Sequence, residues 1–112
     1  MVNGHSGSTP WHAKGFPADK LESHFKDHAK KMGFTSRAEY NNAAVDFMNK
    51  SPTANIDYFV DSRGTVYKFD HNTHEFGIAD VNGNLITYFI PDGDAEKYWY
   101  EQVDKYDDEH QL

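Results

Sequence analysis

Residues 56–90, IDYFVDSRGTVYKFDHNTHEFGIADVNGNLITYFI, carry the plainest structural pattern in the chain. β-Branched, aromatic and aliphatic side chains recur with a period of two, the repeat of a pleated strand. Strands are expected over 56–60, 65–69, 74–79 and 84–90. Their separators, Asp61-Ser62-Arg63-Gly64, Asp70-His71-Asn72-Thr73 and Asp80-Val81-Asn82-Gly83, are short and rich in turn-forming residues. Loops of that length cannot make the crossovers that parallel strands require, so the sheet should be an antiparallel meander.

Upstream the period changes to about 3.6 residues. Phe16-Pro17-Ala18-Asp19 opens a helix, with Pro and Asp in the first turn where missing N–H partners and the helix dipole favour them. It is expected to run to near Gly33. Ser36-Arg37-Ala38-Glu39 has the capping-box pattern, and Tyr40, Ala43, Ala44, Phe47 and Met48 follow at helical spacing to about Lys50. Ser51-Pro52 closes that helix. Downstream, Pro91-Asp92-Gly93 stops the last strand, and 95–106, with Tyr98, Trp99 and Tyr100, reads as a short terminal helix before an acidic tail over 107–112. Residues 1–15 show no periodicity and read as a linker or arm, in which His5 and His12 have no expected role. The expected architecture is therefore α+β: two N-terminal helices packed on one face of a four-stranded antiparallel sheet, plus a short C-terminal helix, over 16–106.

A chain of 112 residues supports one modest core. The absence of cysteine excludes a disulfide framework and thiolate zinc sites. No apolar run reaches the length of a membrane span, and the N-terminus lacks the charged-then-apolar pattern of a secretory signal. The net charge of −7 argues against a general nucleic-acid coat. Most of the excess lies at the end, where eight acids face two lysines from Asp92 onward; the rest, with 9 Lys+Arg against 10 Asp+Glu, is compatible with a local basic site.

The first helix carries the most suggestive chemistry. Lys20, His24, His28 and Lys31 follow one helical ridge beside an apolar stripe of Leu21, Phe25, Ala29 and Met32. Two imidazoles side by side can supply a base and an acid near neutral pH; the bland alternative is a solvated polar face. Histidines at i and i+4 also form a zinc pairing. Here, however, the first is not followed by the Glu of the metalloprotease motif, and any third ligand would have to be recruited in space, from His71, His74 or a carboxylate. Lys68, on a face with Val66 and Asp70, would set a fixed charge near a phosphate or stand as an exposed strand lysine. Thr87, between Leu85 and Phe89, carries a hydroxyl that needs a partner in an otherwise apolar row. Tyr67 and Tyr88 either stack on bases or pack in the sheet, and Arg63 either touches phosphate or is solvated.

The order of these blocks carries a resemblance. Residues 21–34, LESHFKDHAKKMGF, with Tyr40, Ala43, Ala44 and Phe47, resemble the opening of a widespread bacterial toxin-domain family. Val66-Tyr67-Lys68-Phe69-Asp70, Thr73-His74-Glu75-Phe76-Gly77-Ile78, Asp80-Val81-Asn82-Gly83 and Ile86-Thr87-Tyr88-Phe89 with Pro91 resemble its second half. The match spans about residues 20 to 91. That family is similar to the barnase, EndoU, colicin and RelE superfamily of metal-independent ribonucleases at the C-termini of polymorphic and contact-dependent inhibition toxins. Its pattern reads His-Phe-x-Lys-His-Gly; this chain has Asp27 and Ala29 at the Lys and Gly positions, leaving the lysine role to Lys26, Lys30 or Lys20.

The resemblance implies helices followed by a four-stranded antiparallel sheet and an endoribonuclease without cofactor, expected to act on tRNA. His24, His28, Lys68 and Thr87 would be catalytic, and Lys20, Lys31, Arg63, Tyr67 and Tyr88 would contact substrate. It also implies secretion within a larger toxin, action in the cytoplasm of a target bacterium, and a cognate immunity protein. Two rivals stand beside it. A noncatalytic protein-binding module explains the negative charge better, and a metal-dependent nuclease would stop cutting in chelator.

Overall fold

A computed structural model describes residues 11–107; His5 and the end of the acidic tail lie outside the described residues. Helix α1, Ala18–His24, starts after Pro17, whose φ of −57° suits a helix entrance. The chain then widens into a π-helical turn, Phe25–Ala29, where a uniform α-helix to Gly33 was expected. The wider turn sets Ala29 fully into the core and Phe25 edge-on to Tyr40 at 6.3 Å. At the exit Phe34 N–H donates to Ala29 C=O at 2.9 Å, and Gly33 takes φ 87°, a conformation that favours glycine.

Helix α2, Arg37–Asn49, begins as the capping pattern implies: Ser36 Oγ accepts from Glu39 N–H at 3.1 Å. Arg37 makes a two-pronged ion pair with Glu22 at 2.6 and 2.7 Å, fastening α1 to the start of α2. Strands β1 (Ile56–Val60), β2 (Val66–Asp70), β3 (Phe76–Ala79) and β4 (Leu85–Phe89) form one antiparallel sheet in chain order. The expected start of β3 at His74 is displaced because His74 takes φ 67°, outside strand geometry. Helix α3, Ala95–Tyr106, is capped by Asp94, which accepts from Lys97 N–H at 3.0 Å. No helix among the described residues is long and apolar enough to cross a membrane.

Both faces of the sheet are covered. Val66, Ala79, Leu85 and Tyr88 pack with Tyr40, Ala44, Phe47 and Met48 on the side of α1 and α2. Gly77 permits the close approach there, since a Cβ on it would lie 2.6 Å from Met48 Sδ. On the opposite side Phe59, Tyr67, Phe69 and Phe76 pack with Ala95 and Trp99, so α3 forms a third layer. A bulge at β4 pairs Ile78 with Thr87 and Ala79 with Leu85, leaving Ile86 without a partner. Leu85, Thr87 and Phe89 therefore do not form one row: Leu85 belongs to the α2 side, Phe89 to the α3 side.

The arm expected over 1–15 is docked from Trp11 onward. Asn49 exchanges hydrogen bonds with both the N–H and C=O of Ala13 (2.7 and 2.9 Å), and Asn41 accepts from Phe16 N–H (2.9 Å). Lys14 N–H donates to Gly83 C=O and Leu85 N–H to Gly15 C=O, joining this segment to the start of β4. Side-chain amides supply partners that periodic structure would otherwise provide.

Candidate functional site

The end of α1 and the π-helical turn lie against β4, and their histidines, His24 closing α1 and His28 in the turn, lean toward the strand. His24 Nδ1 is 3.4 Å from Thr87 Oγ1, a long contact that ties helix to strand. The His24 ring also stacks on Phe16 at 5.3 Å, and its centroid lies 5.5 Å from that of His28. His28 stacks on Phe89 at 4.8 Å with the planes 20° apart. Thr87 and Phe89, two residues apart past the bulge, thus each receive one histidine. Three of the four residues expected to be catalytic meet here: His24, His28 and Thr87.

The electrostatics of this corner favour neutral imidazoles. Burial lowers the pKa of His24 below 6.5, and the nearby charges of His28 and Lys20 act in the same direction, opposed by Asp27. Burial also lowers His28, helped by Lys31 and opposed by Asp27 and Asp92. A neutral ring has one free lone pair. If Nδ1–H of His24 faces Thr87, Nε2 is left as the proton acceptor. The expected substrate lysines Lys20 and Lys31 are exposed and close enough to act on these rings.

Lys68 is not part of this corner, which corrects the role expected from its resemblance. It pairs across the sheet with Gly77, and Gly77 with Tyr88, on the α2 side, whereas Thr87 pairs with Ile78 on the other. Its side chain is fully buried. Nζ donates to Met48 C=O at 3.2 Å and to Lys50 C=O, and lies 3.9 Å from the centre of the Trp11 ring. Burial, with Lys50 nearby, brings this ammonium down to about 8. It serves as a cap for the last carbonyls of α2, which the helix itself leaves without donors.

Tyr88 is likewise corrected as a base-stacking residue: it is 1% exposed, stands 5.6 Å from Tyr40 and donates its hydroxyl to Glu75. Tyr67 does share the Thr87 face, two strands away. Its ring, however, is closed between Phe59 (4.5 Å) and Tyr106 (5.5 Å), leaving no face for a base. Arg63 stays in the β1–β2 turn, held to Asp61 at 3.3 Å, and does not join the histidines.

His71 and His74 form a separate group. His71 Nδ1 reaches Glu96 at 2.8 Å and Nε2 reaches Asp57 at 3.2 Å, and His74 lies 3.8 Å from Glu96. No group of three or more potential ligands among the described residues is arranged to hold a metal ion.

Sequence reasoning missed Phe16 and Phe89 as the surfaces on which the histidines lie, and Asp92 at the rim. For Phe89 the signal was available, because Thr87 and Phe89 alternate on one strand face. For Asp92 it was not, since only the fold brings the turn after Pro91 beside Lys31, at 3.2 Å. No protein-family model matches this chain, and no curated protein matches it.

Proposed function

We propose that this domain is a metal-independent endoribonuclease that cleaves RNA, with tRNA as the substrate class, by attack of the substrate's own 2′-hydroxyl. What supports this reading is the meeting of His24, His28 and Thr87 at the β4 edge, two imidazoles 5.5 Å apart with a hydroxyl beside one of them. One histidine, neutral, takes the 2′ proton as O2′ bonds to phosphorus. The other, protonated, gives its proton to the 5′ oxygen as the P–O5′ bond breaks. The products are a 2′,3′-cyclic phosphate and a 5′-hydroxyl. Lys20 and Lys31 offset charge gathering on the phosphorane, the role that Lys68 does not fill, and Thr87 donates to a nonbridging oxygen.

By its sequence resemblance the domain is further proposed to be the toxic end of a larger secreted protein. It would act in the cytoplasm of a target bacterium and be held in check by a cognate immunity protein.

The test is incubation of the purified chain with total tRNA in excess chelator. Discrete fragments ending in cyclic phosphate are expected, and a folded His28→Ala protein should leave the tRNA intact. Undiminished cleavage by that variant would overturn the assignment. Intact tRNA with the unaltered chain would favour a protein-binding module, and cutting abolished by chelator a metal-dependent nuclease.

A further inference from the structure

Phe16, where the docked N-terminal segment meets α1, closes one side of the histidine corner. Its ring stacks on His24 at 5.3 Å and on Tyr40 at 5.6 Å, with the planes 23° and 10° apart. We propose that Phe16 is a positioning residue that seats His24 against Thr87, an inference that rests on the ribonuclease reading above for its effect on rate.

Helix α1 is too lightly anchored to hold His24 by itself. It has only seven residues, none of them buried, and no side-chain hydrogen bond caps its start. His24 closes that helix with one polar contact, Nδ1 to Thr87 Oγ1 at 3.4 Å, longer than a firm hydrogen bond. Two rotatable side-chain bonds would then leave the imidazole a choice of orientations. The flat face of Phe16 narrows that choice, since stacking favours one plane for the ring.

Phe16 is itself held from three directions. Tyr40, on which it stacks, is fully buried and donates its hydroxyl to Tyr88 C=O. Asn41, next along α2, accepts from Phe16 N–H at 2.9 Å. The preceding Gly15 accepts from Leu85 N–H at 2.9 Å, two residues from Thr87 on the same strand. At Gly15 a φ of 139°, and an Asn41 amide 3.0 Å from where a Cβ would stand, disfavour any side chain that would push this segment away. The strand that carries Thr87 therefore also places the ring that faces His24. Such support, from groups that need not touch the substrate, keeps an acid or base within the tolerance its chemistry requires. His28 has its own platform in Phe89, so loss of Phe16 unsettles one histidine and spares the other.

The experiment compares the whole chain with Phe16→Leu, which keeps apolar bulk but loses the flat face, and with Phe16→Tyr, which keeps the face. NOEs between the His24 ring and the Thr87 methyl group are expected to weaken in Phe16→Leu, while those between His28 and Phe89 persist. With tRNA, kcat should fall by about tenfold at little change in KM, less than the roughly hundredfold that a 1 Å misplacement can cost. Phe16→Tyr should restore both. If Phe16→Leu does not fold, Asn41→Ala, which withdraws the acceptor of the Phe16 N–H, takes its place, with the same direction of change and a smaller size expected. Unchanged NOEs between His24 and Thr87, equal loss at both histidines, or an unaltered kcat would overturn the proposal even if RNA is cut. The expected NOE change in a chain that cuts no RNA would instead sink the ribonuclease reading and leave Phe16 as the residue that seats His24.

Discussion

The histidines of the first helix and those of the β2–β3 hairpin are close pairs of the same side chain in opposite company. His24 and His28 lie on aromatic rings and a threonine, with lysines nearby, and their protons are held less firmly than usual. His71 bridges two carboxylates, Glu96 on α3 and Asp57 on β1; these raise its pKa above 6.5 despite burial, which acts to lower it. A proton placed on the first pair is easily given up, whereas one placed on His71 joins two elements. What surrounds a pair, more than its spacing, sets how firmly each imidazole holds its proton.

The sharpest way to break this contrast is to remove each pair in turn. His24→Ala and His28→Ala should each reduce RNA cleavage by about hundredfold or more, the range for a positioned acid or base, while His71→Ala leaves the rate per folded molecule nearly unchanged. Equal losses from all three, measured by fragment yield, would erase the distinction. Thr87→Val should have a smaller effect, a roughly tenfold fall in cleavage with little change in thermal midpoint, in line with one lost hydrogen bond near charge. Lys68→Met addresses the side chain excluded from the site. It should cost about 1–3 kcal/mol in urea unfolding, because the carbonyls of Met48 and Lys50 lose their donor, yet leave cleavage by the folded fraction intact.

The smallest effect is the dependence on pH. The folded pKa of His71 is raised, so its contribution to stability is complete below its unfolded value near 6.5 and is lost as pH rises through the folded value. For His24 and His28 the folded pKa is lowered, so their contribution is complete above 6.5 and is lost as pH falls through the folded values. Imidazole proton shifts followed by NMR should show His71 titrating at higher pH than the other two. The reverse order would contradict the environments described.

Much of this was legible in the sequence because local signals agreed with one another. Ser36 caps α2 and short Asp/Asn/Gly turns join the strands, so the antiparallel order follows from loop length alone. The meeting of His24 and His28 followed from helical spacing. What was not legible depended on phase and on tertiary partners. Val66, Lys68 and Asp70 do share a face, but β2 is buried on both sides, so its alternation could not say which side faces a site. The bulge that leaves Ile86 unpaired divides Leu85 from Thr87, and nothing in Asn84-Leu85-Ile86-Thr87 marks it. Trp11 to Phe16 lack periodicity because their partners are Asn41, Asn49 and the start of β4, all distant in sequence.

The π-helical turn at Phe25–Ala29 makes the number of residues between the two imidazoles as decisive as their identity. Each residue of a regular helix rotates the next side chain by about 100°. Shortening this segment by a single amino acid would therefore swing either His28 off Phe89 or Ala29 out of the interior, without removing any ring. Lineages of this sequence should thus tolerate exchanges at solvent-facing Lys26 far better than gaps or insertions anywhere across the turn.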